Sequence, residues 1–428
     1  MRAALWLLAL FAVAVAAALF AGNNQSTLTL FWPPHRIDLS LNLVLLVLVA
    51  VFVVVHLALR ALAALFEMPA QARRWRNQQK ERATHTALLD AAGHLLAGRF
   101  IRARKAALGA LSRERALDAA GERLGHAAQL RALAHLVAAE SAQALQDRAS
   151  RDEHLRQALD QTQGRHGLAA HEIREGIQLR AARWALDERD VQASLAWLEA
   201  LPLGVQRRTV ALRIRLKASR LARQTAVALE TARLLAKHRA FSPVAAESLL
   251  RGLINDLIQG AHDPTQLQRV WSDLDPAERM MPEIAIHAAR RVLELDGAGA
   301  LACSWLLPVW ESNHDKLAAL NEVQRVRLVR TLEDALVAAD EGTARDWLAR
   351  IEAAQQRHPR DTSLQYLAGR ACMNRQLWGK AGQLLNQAAA GLPDSELRAR
   401  AWRALAELAE QRDDAEGAAV AWKAAARG

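Results

Sequence analysis

Histidine is the side chain best suited to ligate a metal or a cofactor iron near neutral pH. His35 and His56 are the two histidines nearest the chain's longest apolar runs. Two imidazoles reaching one iron from opposite sides would make a bis-histidine haem site. His35 stands in a loop and His56 alone in an apolar run, settings where histidines more often serve structure. His166 and His171, in GRHGLAAHE (164–172), are five residues apart. A helix brings together residues three or four apart, so these two read as solvated side chains. Cys303 and Cys372 are the only cysteines, and both lie among apolar residues. They are too few for a disulfide framework or a structural zinc site and read as buried thiols.

Two glycine patterns invite a nucleotide reading, and neither sustains it. Gly379–Lys380 lies within QLWGKAGQLLNQAAAGLP (376–393), but a phosphate loop needs a glycine five residues before Gly379, where Asn374 stands. GAGALA (297–302) matches G-x-G-x-x-A, yet it follows the helix-like IAIHAARRVLELD, where that fingerprint needs a buried strand. It reads as a connection between helices. The carboxylate clusters DERD (187–190) and RDD (412–414) fall where turns are expected, and HExxH and paired CxxC motifs do not occur. No nucleophile, base and orienting group can be linked. The expectation is a protein that is not an enzyme, with no catalytic residue and no metal.

The elements that must carry these residues are helices. Alanine, leucine and arginine dominate the 428 residues and a single tyrosine occurs, a composition that favours helix over sheet. The formal charge is +11, from 56 Lys and Arg against 45 Asp and Glu. The arginines are interspersed with acids instead of gathered with aromatics. That pattern describes solvated helix faces and argues against a nucleic-acid partner.

Residues 3–21, AALWLLALFAVAVAAALFA, are apolar throughout, and 43–66 form a second run interrupted only by His56 and Arg60. The first run reaches roughly 28 Å as a helix, about one hydrocarbon core, and Arg60 is near enough the end of the second to snorkel. Two spans of the lipid bilayer are expected, although AAA at 16–18 would also suit a signal peptidase. Segment 60–82 carries Arg60, Arg73, Arg74, Arg76, Lys80 and Arg82 against Glu67 and Glu81, while the loop between the runs has Arg36 alone. The positive-inside rule then puts everything after residue 66 in the cytoplasm. In that loop, STLTLFWPPHRIDLSL (26–41) alternates on both sides of Pro33–Pro34, predicting a small β-hairpin at the membrane surface with Phe31 and Trp32 near the headgroups.

From residue 83 onward a 34-residue helix–turn–helix template of the tetratricopeptide kind fits repeatedly. Its large, small, large, small and proline positions are met by Trp378, Ala381, Leu385, Ala388 and Pro393, with Gly369 at the small position of the preceding helix. Small residues are required where two antiparallel helices approach closely. On that template Lys380 is a solvent-facing residue. A second copy has Trp402, Leu405 and Ala406, then Ala415, Ala418, Trp422 and Ala425; looser copies use Phe100, Ala103, Ala107 and Ala110, and Val191, Ser194, Leu198 and Leu201. Further helical pairs are expected through 131–160, 210–240 and 320–358. The fold class is therefore all-α: two N-terminal transmembrane helices followed by a tetratricopeptide-like α-solenoid. We expect a membrane anchor (1–66), a basic juxtamembrane segment (67–82) and an N-terminal array (83–240). An irregular middle marked by Pro243, Pro264, Pro276 and Pro282 (241–283) would act as a hinge before the C-terminal repeats (284–428).

In such arrays the groove is lined by positions 2, 5, 9 and 12 of each first helix. Those are Ser363, Tyr366, Arg370 and Met373, then Arg400, Arg403, Glu407 and Glu410. An arginine-rich groove suits an acidic or carboxylate-ended partner segment; the same charges equally serve to solubilise the array.

RARKAALGAL (102–111), RVWSDLDPAERMMPEIAIHAARRVLELDGAGAL (269–301) and HPRDTSLQYLAGRACMNRQLWGKAGQLL (358–385), with LWGKA (377–381) the most specific block, together with the paired apolar runs, make the chain resemble the HemY-type proteins of proteobacteria. These are inner-membrane tetratricopeptide-repeat proteins associated with haem biosynthesis. The resemblance covers nearly the whole chain and implies a two-pass bacterial inner-membrane protein that organises or regulates late haem (porphyrin) synthesis, with haem-biosynthesis enzymes as partners. It supplies no catalytic residues. A flavin-dependent protoporphyrinogen oxidase shares the family's name, but the nucleotide fold that enzyme needs is missing here. Direct haem or porphyrin handling, through His35, His56 or a groove histidine, and a role in envelope protein assembly are the alternatives.

Overall fold

The computed structural model describes residues 11–16, 18, 19, 22, 26–122, 124–164, 167–313 and 320–427. By its internal packing the chain forms two compact units that divide between Arg174 and Glu175, within the helix Leu168–Asp187.

The first unit opens with strands β1 (Thr27–Trp32) and β2 (His35–Ser40), paired antiparallel from Thr27↔Ser40 to Trp32↔His35. Ser40 then starts the helix Leu41–Leu96, its Oγ accepting the Leu43 N–H at 3.3 Å. Residues Leu41–Leu62 of this helix are long and apolar enough to cross a bilayer and are unburied by the protein. They are the only described segment that qualifies, where two spans were expected. The first expected span, 3–21, lies largely outside the described residues; its residues 11–16, 18 and 19 are helical and exposed. The helix does not stop at residue 66. It continues through the basic segment 67–82 into the packed part of the unit, where Thr84 is the first fully buried residue. The helices Phe100–Ala119, Ala127–Ala144 and Arg148–Asp160 complete the unit. Their contacts are made largely by alanine: Ala91, Ala103, Ala107, Ala132, Ala138 and Ala142 are fully buried. That lets the helices approach closely but leaves little apolar surface per contact.

The second unit consists of helix pairs. Leu168–Asp187 pairs with Val191–Glu199, where buried Ser194 donates its hydroxyl to the Ala182 carbonyl at 2.8 Å. Thr209–Leu221 pairs with Thr225–Lys237, followed by Pro243–Gln259 and Pro264–Ser272. Toward the C-terminus Pro282–Glu294 precedes Gly299–Asn313, Glu322–Val337 precedes Glu341–Arg357, Thr362–Asn374 precedes Trp378–Gly391, and Ser395–Glu410 precedes Ala415–Arg427.

The four middle prolines start helices. Pro243, Pro264, Pro276 and Pro282 stand in first turns, where the missing N–H costs nothing. Ser242 and Asp263 cap two of these turns, accepting from Ala245 N–H at 3.3 Å and Gln266 N–H at 2.8 Å. Nor does the expected hinge interrupt the packing. One buried cluster runs from Leu212 to Ala421 and includes Ile254, Leu267, Trp271 and Leu274 of that stretch. Trp271 stacks on Trp305 with ring centroids 4.7 Å apart, and Arg233 donates to Glu278 at 3.0 Å.

Candidate functional site

Four first helices lie side by side in the second unit: Pro282–Glu294, Glu322–Val337, Thr362–Asn374 and Ser395–Glu410, each touching the next. Their starts are fixed by side chains. Asn321 and Gln324 form a reciprocal capping box, Asp361 accepts from the Ser363 and Leu364 N–H groups, and Asp394 accepts from Leu397 N–H. Such caps set the axial position of every residue that follows.

At the centre is Glu333, whose carboxylate is buried. Its Oε2 accepts from the Tyr366 hydroxyl at 2.7 Å and from Arg400 Nη1 at 3.2 Å, and its Oε1 accepts from Arg370 Nε at 2.7 Å. Three first helices are thereby tied to one carboxylate. Arg400 also donates to Asp334 at 3.2 Å, and Arg370 Nη1 reaches Glu407 at 3.4 Å. Burial and the adjacent Glu333 push the Tyr366 phenol far above its usual range, so it stays a neutral donor.

Two clefts flank this knot. One, of about 450 Å³, is lined by Glu333, Asp334, Arg370, Arg400, Arg403 and Glu407. The other, of about 430 Å³, is lined by Glu283, His287, Arg290, Arg327, Arg330 and Asp334, so the two share Asp334. Burial is the main cause that lowers the His287 pKa; Glu294 opposes it, and Arg290, Arg291 and Arg327 add to it.

Of the expected groove residues, Arg370, Arg400, Arg403 and Glu407 share one cleft. Tyr366, Met373 and Ser363 do not face a partner, because the helices on either side bury them. Met373 instead receives Arg370 Nη1 on its sulfur at 3.6 Å. The arginine-rich character is also tempered from within. Arg370 and Arg400 are matched as above, Arg330 by Glu396 at 2.6 Å and Arg290 by Glu294 at 2.9 Å. Arg327 and Arg403, both exposed, have no ion-pair partner among the described residues.

Glu333, Arg330, Glu283 and Arg290 escaped the sequence reading, although the signal was present. Positions 2, 5, 9 and 12 counted from Glu322 give Val323, Val326, Arg330 and Glu333, and counted from Pro282 give Glu283, Ile286, Arg290 and Leu293. Lys380 is not simply solvated: it pairs with Glu352 at 2.7 Å. In GAGALA the glycine is needed for packing. A Cβ on Gly299 would lie 2.3 Å from the Ala335 carbonyl oxygen.

His35 and His56 do not converge. His35 sits at the hairpin tip opposite Trp32, whereas His56 lies about 22 Å along the helix from its start and stacks on Phe52 at 6.3 Å. These residues do not fit a bis-histidine haem site. His166 lies outside the described residues. Among the described residues no group of three or more His, Cys, Asp or Glu side chains is placed to hold a metal. Both cysteines are buried, and burial pushes the Cys303 thiol up to about 12 and the Cys372 thiol up to about 11.

The fold and clefts define the class: a helical-repeat protein that carries one small hairpin and a membrane-length apolar helix ahead of its repeats. Residues 26–146 match the family described as HemY protein N-terminus. The match covers the hairpin, the apolar helix and the first packed helices. No curated protein sequence matches significantly. Among solved structures, the chain is similar to one titled "Structure of Naa15/Naa10 bound to HypK-THB", at 12% identity and TM-score 0.26, covering 79% of this chain and 57% of that one. It is also similar to "Crystal Structure of P58(IPK) TPR Domain at 2.5 A", at 14% identity and TM-score 0.23, covering 77% of this chain and 99% of that one. Our chain thus spans little more than half of the first of these.

Proposed function

We propose that this protein is a non-enzymatic scaffold of late haem (porphyrin) biosynthesis, anchored in the bacterial inner membrane by two spans with its repeats in the cytoplasm. It recruits haem-synthesis proteins by receiving an acidic segment along the two clefts. The match to the HemY protein N-terminus family supports the pathway, and the basic residues after position 66 support the orientation. One observation carries the binding reading: among six cleft arginines, Arg327 and Arg403 alone are left for an incoming carboxylate. They belong to helices two positions apart, roughly 20 Å at ordinary helix spacing. An extended segment with acidic residues about six apart would reach both.

A photo-crosslinker in place of Val337, an exposed cleft residue, tests this in intact membranes. Adducts with haem-synthesis enzymes that disappear in the R327E/R403E double variant support the proposal. Adducts confined to envelope-assembly proteins, or adducts that ignore the charge reversal, overturn it. A haem titration of the purified protein separates the carrier alternative; no Soret shift is expected, since His35 and His56 lie apart.

A further inference from the structure

The hairpin β1–β2 takes no part in the repeat packing or the clefts. Its register places Leu28 opposite Leu39, Leu30 opposite Ile37 and Trp32 opposite His35. Directly opposed residues share a face, so one face carries five large apolar side chains and a single imidazole at the tip. The other face pairs Thr27 with Ser40, Thr29 with Asp38 and Phe31 with Arg36. There the Arg36 guanidinium lies 5.5 Å from the Phe31 ring centre and its Nε is 3.4 Å from Asp38. Apart from Phe31, 75% exposed on the polar face beside Arg36, the hairpin is amphipathic, yet its apolar face is open: Leu28, Leu30 and Ile37 are nearly half exposed and Trp32 is 71% exposed. Two strands alone are marginally stable in water, and nothing among the described residues covers this face.

We infer that the apolar face of the hairpin lies on the lipid bilayer, at the boundary between headgroups and acyl chains. The inference rests on reading Leu41–Leu62 as a membrane span, and continuity with that span selects lipid as the occupant. β2 ends at Ser40, Ser40 caps the helix, and Leu41 is already the first residue of the apolar run. The Leu41 N–H donates to the Ser26 carbonyl at 3.0 Å, so the outer end of β1 is clamped to the same point. Both ends of the hairpin are therefore fixed where the helix enters the hydrocarbon, with no free linker to carry the sheet into solvent. Interfacial lipid also suits the residue types. Trp32 and His35 combine apolar rings with polar N–H groups, and tryptophan concentrates at this depth. Thr27, Thr29, Arg36 and Asp38 remain hydrated on the opposite face. The sequence pattern alone placed both Phe31 and Trp32 near the headgroups; the register assigns that place to Trp32 and gives Phe31 to Arg36.

The test uses the full chain in nanodiscs of phosphatidylethanolamine and phosphatidylglycerol. NBD is attached singly at Leu30→Cys (apolar face), Asp38→Cys (polar face) or Val51→Cys (span); the native thiols are buried. Lipids carrying a nitroxide near the headgroup end should quench the position-30 label severalfold more than the position-38 label, and iodide should show the reverse order. The position-51 label should be quenched by nitroxides deep in the acyl chains. If position 51 responds but position 30 is as open to iodide as position 38, the hairpin stands in water and the inference fails. If position 30 is shielded from both quenchers, another protein or a second copy covers the face, which also overturns it. If position 51 itself is unquenched, the span reading fails first and takes the inference with it.

Discussion

A buried carboxylate that answers three donors has more to lose than a surface ion pair. Removing one partner of such a set leaves the remaining charges unpaired and costs about 3–5 kcal/mol, whereas an exposed charge contributes little. Glu333→Ala should therefore lower stability by about 3 kcal/mol in urea unfolding, while Arg403→Glu should change it by less than about 0.5 kcal/mol. An equal effect of the two would refute the central role given to Glu333. A second residue-scale feature lies in the first unit. His135 and His154 face each other through Nδ1 atoms 3.2 Å apart, so one ring must donate and the other accept. Burial, then the neighbouring imidazole, pushes His135 down to about 4, and burial also lowers His154. Both titrate near 6.5 in an unfolded chain, which therefore binds more protons than the folded one between roughly pH 6.5 and 4. Stability should fall as the pH drops through that window, by up to about 3 kcal/mol from His135. A His135→Gln/His154→Gln variant should lose that share of the slope in unfolding midpoints measured from pH 7 to 4. Neither pairing was legible in the sequence. Glu333 meets Arg370 and Arg400 only across sequence separations of 37 and 67, and the spacing of 19 between the histidines fits no local periodicity.

The elements were far more legible, because their causes are local. Alanines at template spacing did become helix contacts: Ala103, Ala107, Ala110, Ala381 and Ala388 are fully buried. Gly369 is required outright, since a Cβ there would lie 2.7 Å from Leu385 Cγ of the paired helix. Gly369→Ala should cost about 1–3 kcal/mol through overpacking, read as a lowered urea midpoint with unchanged far-UV circular dichroism. What the sequence concealed was the turn. Among the described residues nine helix connections share one geometry, a left-handed residue at Gly98, Gly121, Gln146, Arg189, Arg223, Arg239, Asp296, Gln376 or Asp413. The following N–H returns to a carbonyl five residues back, as from Leu377 to Cys372 at 2.9 Å. This is the Schellman closure, for which glycine is the usual choice. Only Gly98 and Gly121 of the nine use it, so glycine punctuation did not mark the repeats. Gln376→Gly should relieve the left-handed strain and raise stability by about 0.5–1 kcal/mol; a decrease would show that the Gln376 side chain makes up for that strain.

At the scale of the whole chain, membrane attachment and repeat folding draw on separate residues, although one helix carries both. Leu41–Leu62 is exposed and apolar, and the described side chains between there and Thr84 are exposed as well. From Thr84 onward Ala87 and Ala91 are buried against later helices. The Thr84 hydroxyl donates to the Lys80 carbonyl at 2.9 Å, so the packed segment needs only that last unpacked turn. Sequence reading placed an apolar run at 43–66 and left the conformation of the basic segment 67–82 open, because hydropathy marks where lipid contact stops and carries no sign of where backbone hydrogen bonding stops. The consequence is specific. A chain starting at Lys80 should be soluble without detergent, keep its helical circular dichroism and unfold at the same urea concentration as the full protein in detergent. It should leave the membrane fraction entirely, and with it any partner that reaches the membrane only through the clefts of the second unit. If this shortened chain aggregates or unfolds early, residues before Lys80 contribute to the repeat core, and the separation of anchor from scaffold is wrong.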